Sequence, residues 1–446
     1  MKTPIYDFIS RYKENNDVRM HMPGHKGKEL LGFESYDITE IFGADSLYHA
    51  DGIIKESEEN ASRLFGSGAT FYSCEGSSLS IRAMLYLAYT YSGSCGYVLA
   101  TRNAHSSFIS SSALIGFDVE WLYPSSLSSY LSCIISPAEL ENVLSSVDKL
   151  PFALYITSPD YLGNICDIKG LSEVCRKYGV LLLVDNAHGA YLAFTDEKNH
   201  PILLGADMCT DSAHKTLPTI TGGAYLHISS GAPKFFIENA RKSLSLFGST
   251  SPSYLILASL DKTNEYLENE YRVRLSDLIS NVELLKSRLS LLGYSFLGDE
   301  KIKLTIDALE YGYYGTELGE HLINQGIVPE FYDKELLVLM LSPENDENDL
   351  NALYNALAML PKKASIEKLS IPLNPPERVM SMRDAVFKKG ELVNIDDALN
   401  KALAFSVVSC PPAVSIIACG ERVNQSVIEI SKYYGIEKLY VIKEKE

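Results

Sequence analysis

The chain is 446 residues long, 46% hydrophobic and 22% charged, which is ordinary globular composition with length for two or three domains. Its 40 basic and 57 acidic side chains give a net charge of −17, which argues against nucleic acid or an anionic membrane as the main partner. No run approaches the ~18 apolar residues of a membrane span, and residues 1–20 lack the apolar core of a signal peptide. A soluble, cytoplasmic protein is therefore expected. The 8 cysteines form no C-x-x-C pair and have no His neighbours at zinc-ligand spacing, so they read as free thiols, and no metal site is expected.

In chain order, residues 1–20 suggest a short polar helix, and HMPGHKGK (21–28) a loop, because Pro23 and Gly24 interrupt any helical pairing of His21 with His25. From Thr70 strands and helices alternate. TFYSC (70–74) reads as a strand, LSIRAMLYLAY (79–89) as a helix, GYVLA (96–100) and FALYITSP (152–159) as strands, and IKGLSEVCRKYG (168–179) as a helix stopped by Gly179. VLLLVD (180–185) is a continuous apolar run, as in a strand buried on both faces. A short strand and turn follow over 206–215. The alternation predicts an α/β fold: a large, mostly parallel mixed sheet covered by helices, with ligands beyond the carboxyl ends of its strands. One long helix is expected over 265–294. Strands at 302–307 and 336–342 and helices at 316–326 and 346–360 suggest a smaller α/β unit. The expected organisation is an N-terminal segment (1–45), a large domain (46–262), a small domain (263–361), a linker (362–376) and a C-terminal domain (377–446).

Four clusters could carry chemistry. Lys215, in Asp211-Ser212-Ala213-His214-Lys215, follows a short strand; in a pocket its amine becomes a nucleophile toward an aldehyde, and otherwise it is a solvated surface lysine. Asp185 ends the most apolar strand, where a carboxylate needs a positive partner (a cation, a metal or a protonated ring nitrogen) unless it simply caps a helix. His188 lies on the same turn. Glu75-Gly76-Ser77-Ser78 stands at a strand-to-helix junction suited to phosphate, although serine is also an ordinary cap. Arg102 and His105 follow the strand at 96–100, where a lone histidine is as readily structural. Asp185 and Lys215 are 30 residues apart, which fits one strand-to-strand crossover. Together these supply what pyridoxal 5'-phosphate (PLP) needs: a phosphate anchor, ring support, a carboxylate for the pyridine nitrogen and an imine-forming lysine.

On these residues the chain resembles the short bacterial form of the Orn/Lys/Arg decarboxylases, PLP enzymes of the aspartate-aminotransferase fold type I. The matching blocks run in order over nearly the whole chain: HMPGHKG (21–27), DITEIFGADSL (37–47), GSS (76–78), RNAHSS (102–107), DNAHGA (185–190), SAHKTLP (212–218), STSPSY (249–254) and CPPAVSIIACGE (410–421). The resemblance implies a PLP-dependent decarboxylase of a basic amino acid, arginine before lysine or ornithine, that releases CO2 and a polyamine-type amine. It implies Lys215 as the Schiff-base lysine, Asp185 against the pyridine nitrogen, His105 stacked on the ring and His188 nearby. Gly76, Ser77, Ser78, Ser212 and His214 would serve the phosphate, with Thr250 reaching it from a neighbouring subunit. Lys215 or His214 would return a proton to Cα. His25 and Lys26 would line the entrance of a homodimer's or higher oligomer's site, and Glu330 and Glu421 would meet the basic end of the substrate.

The chain departs from the family pattern at Ser106, Asn186 and Ala413, where Lys, Glu and Gly are usual, and at Asp160-Tyr161-Leu162-Gly163. These departures bear on substrate identity more than on the cofactor. The competing readings are another fold type I enzyme, an aminotransferase or lyase, and a catalytically silent binding or assembly protein. Neither G-x-G-x-x-G nor G-x-S-x-G occurs, which disfavours dinucleotide binding and serine hydrolysis.

Overall fold

The computed structural model of the protein describes residues 1–123, 129–368, 374–406 and 412–443. Two compact units are built from interleaved stretches. The first comprises Met1–Cys95, Ser136–Ser158 and Asp167–Ser276, the second Gly96–Ile135, Pro159–Cys166 and Asp277–Glu446.

Seven strands precede residue 230: β1 (Ala69–Ser73), β2 (Tyr97–Thr101), β3 (Asp118–Leu122), β4 (Ala153–Thr157), β5 (Leu181–Asp185), β6 (Met208–Asp211) and β7 (Ala224–Ile228). The first unit holds five of them in the order β1-β7-β6-β5-β4. β4, β5 and β6 pair in parallel, whereas β7 runs against both β6 and β1, so the sheet is mixed and mostly parallel, as the alternation predicts. β5 is buried from Leu182 onward because helices cover both faces, which is why it reads as one apolar run. The register sets Thr157 beside Asp185, and Asp185 beside Thr210, so the carboxyl ends of β4, β5 and β6 align. The helix Ile168–Tyr178 returns the chain from β4 to β5. The Asp167 carboxylate accepts from Gly170 N at 2.9 Å to start it, and Gly179, at φ 69°, ends it in the left-handed region that glycine tolerates.

The second unit contains the parallel pair β2 and β3 and two antiparallel sheets. One orders Phe331–Tyr332, Leu336–Met340, Lys303–Asp307 and Phe296–Leu297; the other orders Gly390–Asn394, Lys438–Ile442 and Leu403–Phe405. Val423, Val427, Val441, Leu403 and Ala398 are each at most 1% exposed and form the core under the latter sheet. The long helix expected over 265–294 is two, Tyr254–Asn269 and Tyr271–Leu291, divided at Glu270, whose φ of −128° leaves helical geometry. The N-terminal helix is shorter than expected, Pro4–Asn15, closed by Asn16 at φ 53°. Among the described residues no helix is long and apolar enough to cross a membrane.

Candidate active site

At the carboxyl end of β5, the Asp185 carboxylate is 2% exposed. It accepts a hydrogen bond from the Tyr155 hydroxyl at 3.0 Å and from Ala187 N at 3.2 Å. Burial pushes its carboxyl above the ordinary aspartate value, and the charge of Lys215, with those two donors, opposes the shift. Two neutral donors and one nearby ammonium leave a buried anion only partly compensated, so the site suits an added positive group.

Lys215 lies in the short helix Ala213–Thr216 that follows β6. Its Nζ is 2.8 Å from His188 Nε2, so amine and imidazole share a proton-bearing contact. His188 itself is buried on the turn after Asp185. The His214 Nδ1 lies 3.0 Å from the Gly223 carbonyl, which accepts its proton, so the imidazole faces its own turn through that nitrogen.

The strand-to-helix junction brings two serine hydroxyls to a helix start. Ser212 Oγ donates to Ser77 Oγ at 2.8 Å, which joins the Lys215 turn to the start of the helix Gly76–Tyr91. Its N-cap residue, Glu75, makes no side-chain cap. Gly76 sits at φ 68°, and a Cβ placed on it would project into open space, which leaves room for a ligand against the backbone. Ser78 is the third residue of the same turn. Thr250 is exposed in the loop after the helix Lys234–Phe247, and Ser249 N donates to the Glu75 carboxylate at 2.6 Å.

Beneath this floor lies a buried network that the sequence reading did not contain. Asn186 Nδ2 donates to Asp211 Oδ1 at 2.7 Å, while His200 Nε2 and His227 Nε2 approach Asp211 Oδ2 at 2.9 and 3.2 Å. Burial alone would raise the Asp211 carboxyl; the two imidazoles more than reverse this and hold it below the ordinary range. Asn186, where the family usually has Glu, thus presents a neutral donor to an ionised carboxylate.

The N-terminal candidates bond within their own loop. His25 Nε2 is 3.2 Å from Asp37 Oδ2, and Lys26 Nζ donates to the His21 carbonyl at 2.5 Å. In the second unit, His105 caps the helix Ser106–Ile115. Its Nδ1 accepts from Ser107 N at 3.1 Å, which places the ring proton of the neutral imidazole on Nε2. Glu330 is exposed and accepts from Tyr161 at 3.3 Å. Glu421, expected at the substrate, is held by partners of its own unit. It is 2% exposed, pairs with Arg102 at 3.2 Å and accepts from Ala418 N at 2.7 Å, so its charge is taken up inside the unit.

A lysine, a serine-lined helix start and a buried acid lie at the carboxyl ends of strands in an α/β fold of type I. The model of the Orn/Lys/Arg decarboxylase major domain matches residues 3–308, and the chain belongs to that family, a family of PLP-dependent decarboxylases. It is 28% identical to the uncharacterized protein YaaO of Bacillus subtilis (100% of this chain, 98% of that protein). It is 27% identical to an arginine decarboxylase of Halalkalibacterium halodurans (95% and 92%). The lysine decarboxylase LdcF of Francisella novicida has the same fold, with a TM-score of 0.81 at 18% identity over 99% of this chain and 81% of that one.

Proposed function

We propose that the chain binds PLP and decarboxylates a basic amino acid, with arginine preferred over lysine and ornithine. The observation that carries this is the pairing, within one unit, of Lys215 on His188 with the buried, under-compensated Asp185. The residues fit the group: open space at Gly76 beside Ser77 and Ser212 suits its phosphate, and Asp185 suits a protonated ring nitrogen. When bound, PLP supplies an electron sink for the pair left behind as CO2 departs.

The protein's part is positioning and proton handling. Lys215 is the covalent anchor, and His188 Nε2 can take or return a proton at its Nζ. Asp185 stays aimed because the Tyr155 hydroxyl fixes one of its oxygens and Ala187 N the other. Ser77, Ser78 and Ser212 hold the phosphate end. His214 is the second candidate proton donor. The roles read for His105, Thr250, His25, Lys26 and Glu330 rest on family membership alone. Arginine is preferred because the full-length bacterial relatives include arginine decarboxylases.

A homodimer is part of this reading. In the N-terminal loop, the Glu34 carboxylate accepts from the backbone N–H groups of residues 30–33, and Arg19 donates to the carbonyls of Ser35 and Asp37. A loop tied so firmly nevertheless exposes Met20, Leu30, Leu31 and Phe42. Such an ordered apolar surface suits a second copy of the chain.

Incubating the PLP-loaded protein with arginine, lysine and ornithine, and measuring CO2, agmatine, cadaverine and putrescine, tests the function. Agmatine should form fastest. Keto-acid formation without CO2 would transfer the chain to the aminotransferase reading. Sedimentation of the same sample should give at least a dimer.

A further inference from the structure

At the opposite ends of the strands from Lys215, the first unit carries an open cleft of about 450 Å³, within the size range of small-molecule sites. Leu181 and Leu182 of β5 line it, whereas Asp185 closes the other end of the same strand. At ~3.3 Å per residue the two ends are roughly 13 Å apart along β5, so the cavity is separate from the Lys215 site.

Its walls are apolar or small apart from two charged side chains, Arg176 and Asp207. Phe152, Tyr91 and the buried Cys175 are among its apolar lining residues. Asp207 Oδ2 accepts from Leu182 N at 2.8 Å, which fixes the carboxylate while leaving its second oxygen without a hydrogen-bond partner among the described residues. Burial raises this carboxyl, and Leu182 N and the charge of Arg176 offset that only in part. Arg176, in the last turn of the helix Ile168–Tyr178, attracts Asp207 without forming an ion pair with it. An exposed guanidinium and a half-buried carboxylate oxygen, near each other and each without a hydrogen-bond partner among the described residues, are complementary to the two ends of a zwitterion. The helix ends at Tyr91, Tyr178 and Leu204 all border the cavity, and their partial negative charge favours an ammonium on the Asp207 side.

We propose that this cavity binds a free α-amino acid with an apolar side chain, its carboxylate on Arg176, its ammonium on Asp207 and its side chain against Phe152 and Tyr91. A third charged wall residue would be needed to favour a basic or acidic side chain, and the lining has none. The site is thus complementary to a different class of amino acid from the proposed substrate, and its existence does not depend on the decarboxylase assignment.

The test is isothermal titration of L-leucine into the PLP-loaded protein, with the cofactor absorbance recorded in parallel so that any reaction at Lys215 is seen separately. One saturable site per chain is expected. Arg176→Gln should weaken binding at least tenfold. Gly231→Leu should do the same by filling the cavity. A Cβ at Gly231 meets only Ser229 Oγ, at 3.8 Å, and its φ is not in the left-handed region, so the side chain can enter without backbone strain. In the unsubstituted protein, 3-methylbutylamine, which has the same side chain and no carboxylate, should bind at least tenfold more weakly than leucine. Absence of saturable leucine binding, affinity unchanged in both variants, or equal binding of the amine would each overturn the proposal. None of these results bears on decarboxylation.

Discussion

Asp185 and Glu421 are two buried carboxylates, each 2% exposed and each raised by burial, yet they meet opposite kinds of partner. Glu421 is matched inside its unit. Arg102 donates to it and to the carbonyls of Ser415 and Ile416, and the same guanidinium lies 4.9 Å from the centre of the Trp121 ring. Among the described residues Asp185 meets no guanidinium, and its direct donors are a phenol and one backbone amide. A carboxylate whose charge is already paired holds structure together, whereas one held in place but under-compensated is ready for a ligand. The contrast lies in the partners, since burial is the same.

The largest effect should come from breaking the under-compensated side. Lys215→Ala should lower CO2 release from the preferred substrate at least about a thousandfold, with loss of the cofactor's imine absorbance. Asp185→Asn keeps the shape and removes the charge, and should cost roughly a hundred- to a thousandfold in kcat with little change in melting temperature. A melting temperature that fell while kcat held would make Asp185 a second Glu421.

The paired side should answer in the other currency. Glu421→Gln leaves the buried Arg102 without its counter-charge and should destabilise the protein by about 3 kcal/mol in denaturant unfolding, with KM for arginine, lysine and ornithine unchanged. A raised KM at unaltered stability would return Glu421 to the substrate.

A third buried carboxylate falls between these two. Asp261 accepts from Ile5 N at 2.9 Å, Tyr6 N at 3.0 Å and the Ser57 hydroxyl at 2.6 Å, and so anchors the first turn of the N-terminal helix without a cation. Burial pushes its carboxyl from 3.8 up to about 6, with the charge of Asp7 adding and these three donors subtracting. The folded chain therefore binds this proton more tightly than the unfolded chain. The resulting stability is fully present below the unfolded value, near pH 4, and is lost as pH rises through about 6. Unfolding measured from pH 4 to 7 should show a loss attributable to this group of about 3 kcal/mol, absent in Asp261→Asn. Identical slopes in the two proteins would mean that the carboxylate is solvated as an ordinary one.

Much of this was legible in the sequence because it is local. The apolar run of β5 ends on Asp185, and Lys215 follows β6 within one turn of Ser212, so strand, acid, lysine and serine come from short segments whose pattern reports burial. What pairs across the fold was not. Tyr155 reaches Asp185 from the neighbouring strand, and its only trace in sequence is one polar-tipped ring inside an apolar run. Arg102 and Glu421 are 319 residues apart, and nothing beside either residue announces the other. Glu421 was read as a substrate contact from its place in the family's C-terminal block, and that block carries no sign of Arg102. Glu270 broke the expected long helix because residues 265–294 have helical spacing on both sides of it, and periodicity does not register a single non-helical residue.

The smallest effect sharpens the contrast from the structural side. Ala413 stands where the family usually has glycine, and its φ is 55°, in the left-handed region that costs a residue with a Cβ about 1 kcal/mol. Its carbonyl accepts from Ser106 N at 2.9 Å, and Arg102 grips the carbonyls of Ser415 and Ile416 just beyond it, so this strained residue is held at both sides. Ala413→Gly removes the clash, but it also removes a buried methyl and loosens the unfolded chain, so a net gain of roughly 0.5 kcal/mol is expected. In the Glu421→Gln background the Arg102 grip is weaker and the segment can relax the strain by itself, so the gain should shrink toward zero. A double-mutant cycle reads this coupling directly. Strict additivity would mean that Arg102 fixes the segment equally well without its carboxylate, and the ion pair would then contribute stability without shaping the backbone around it.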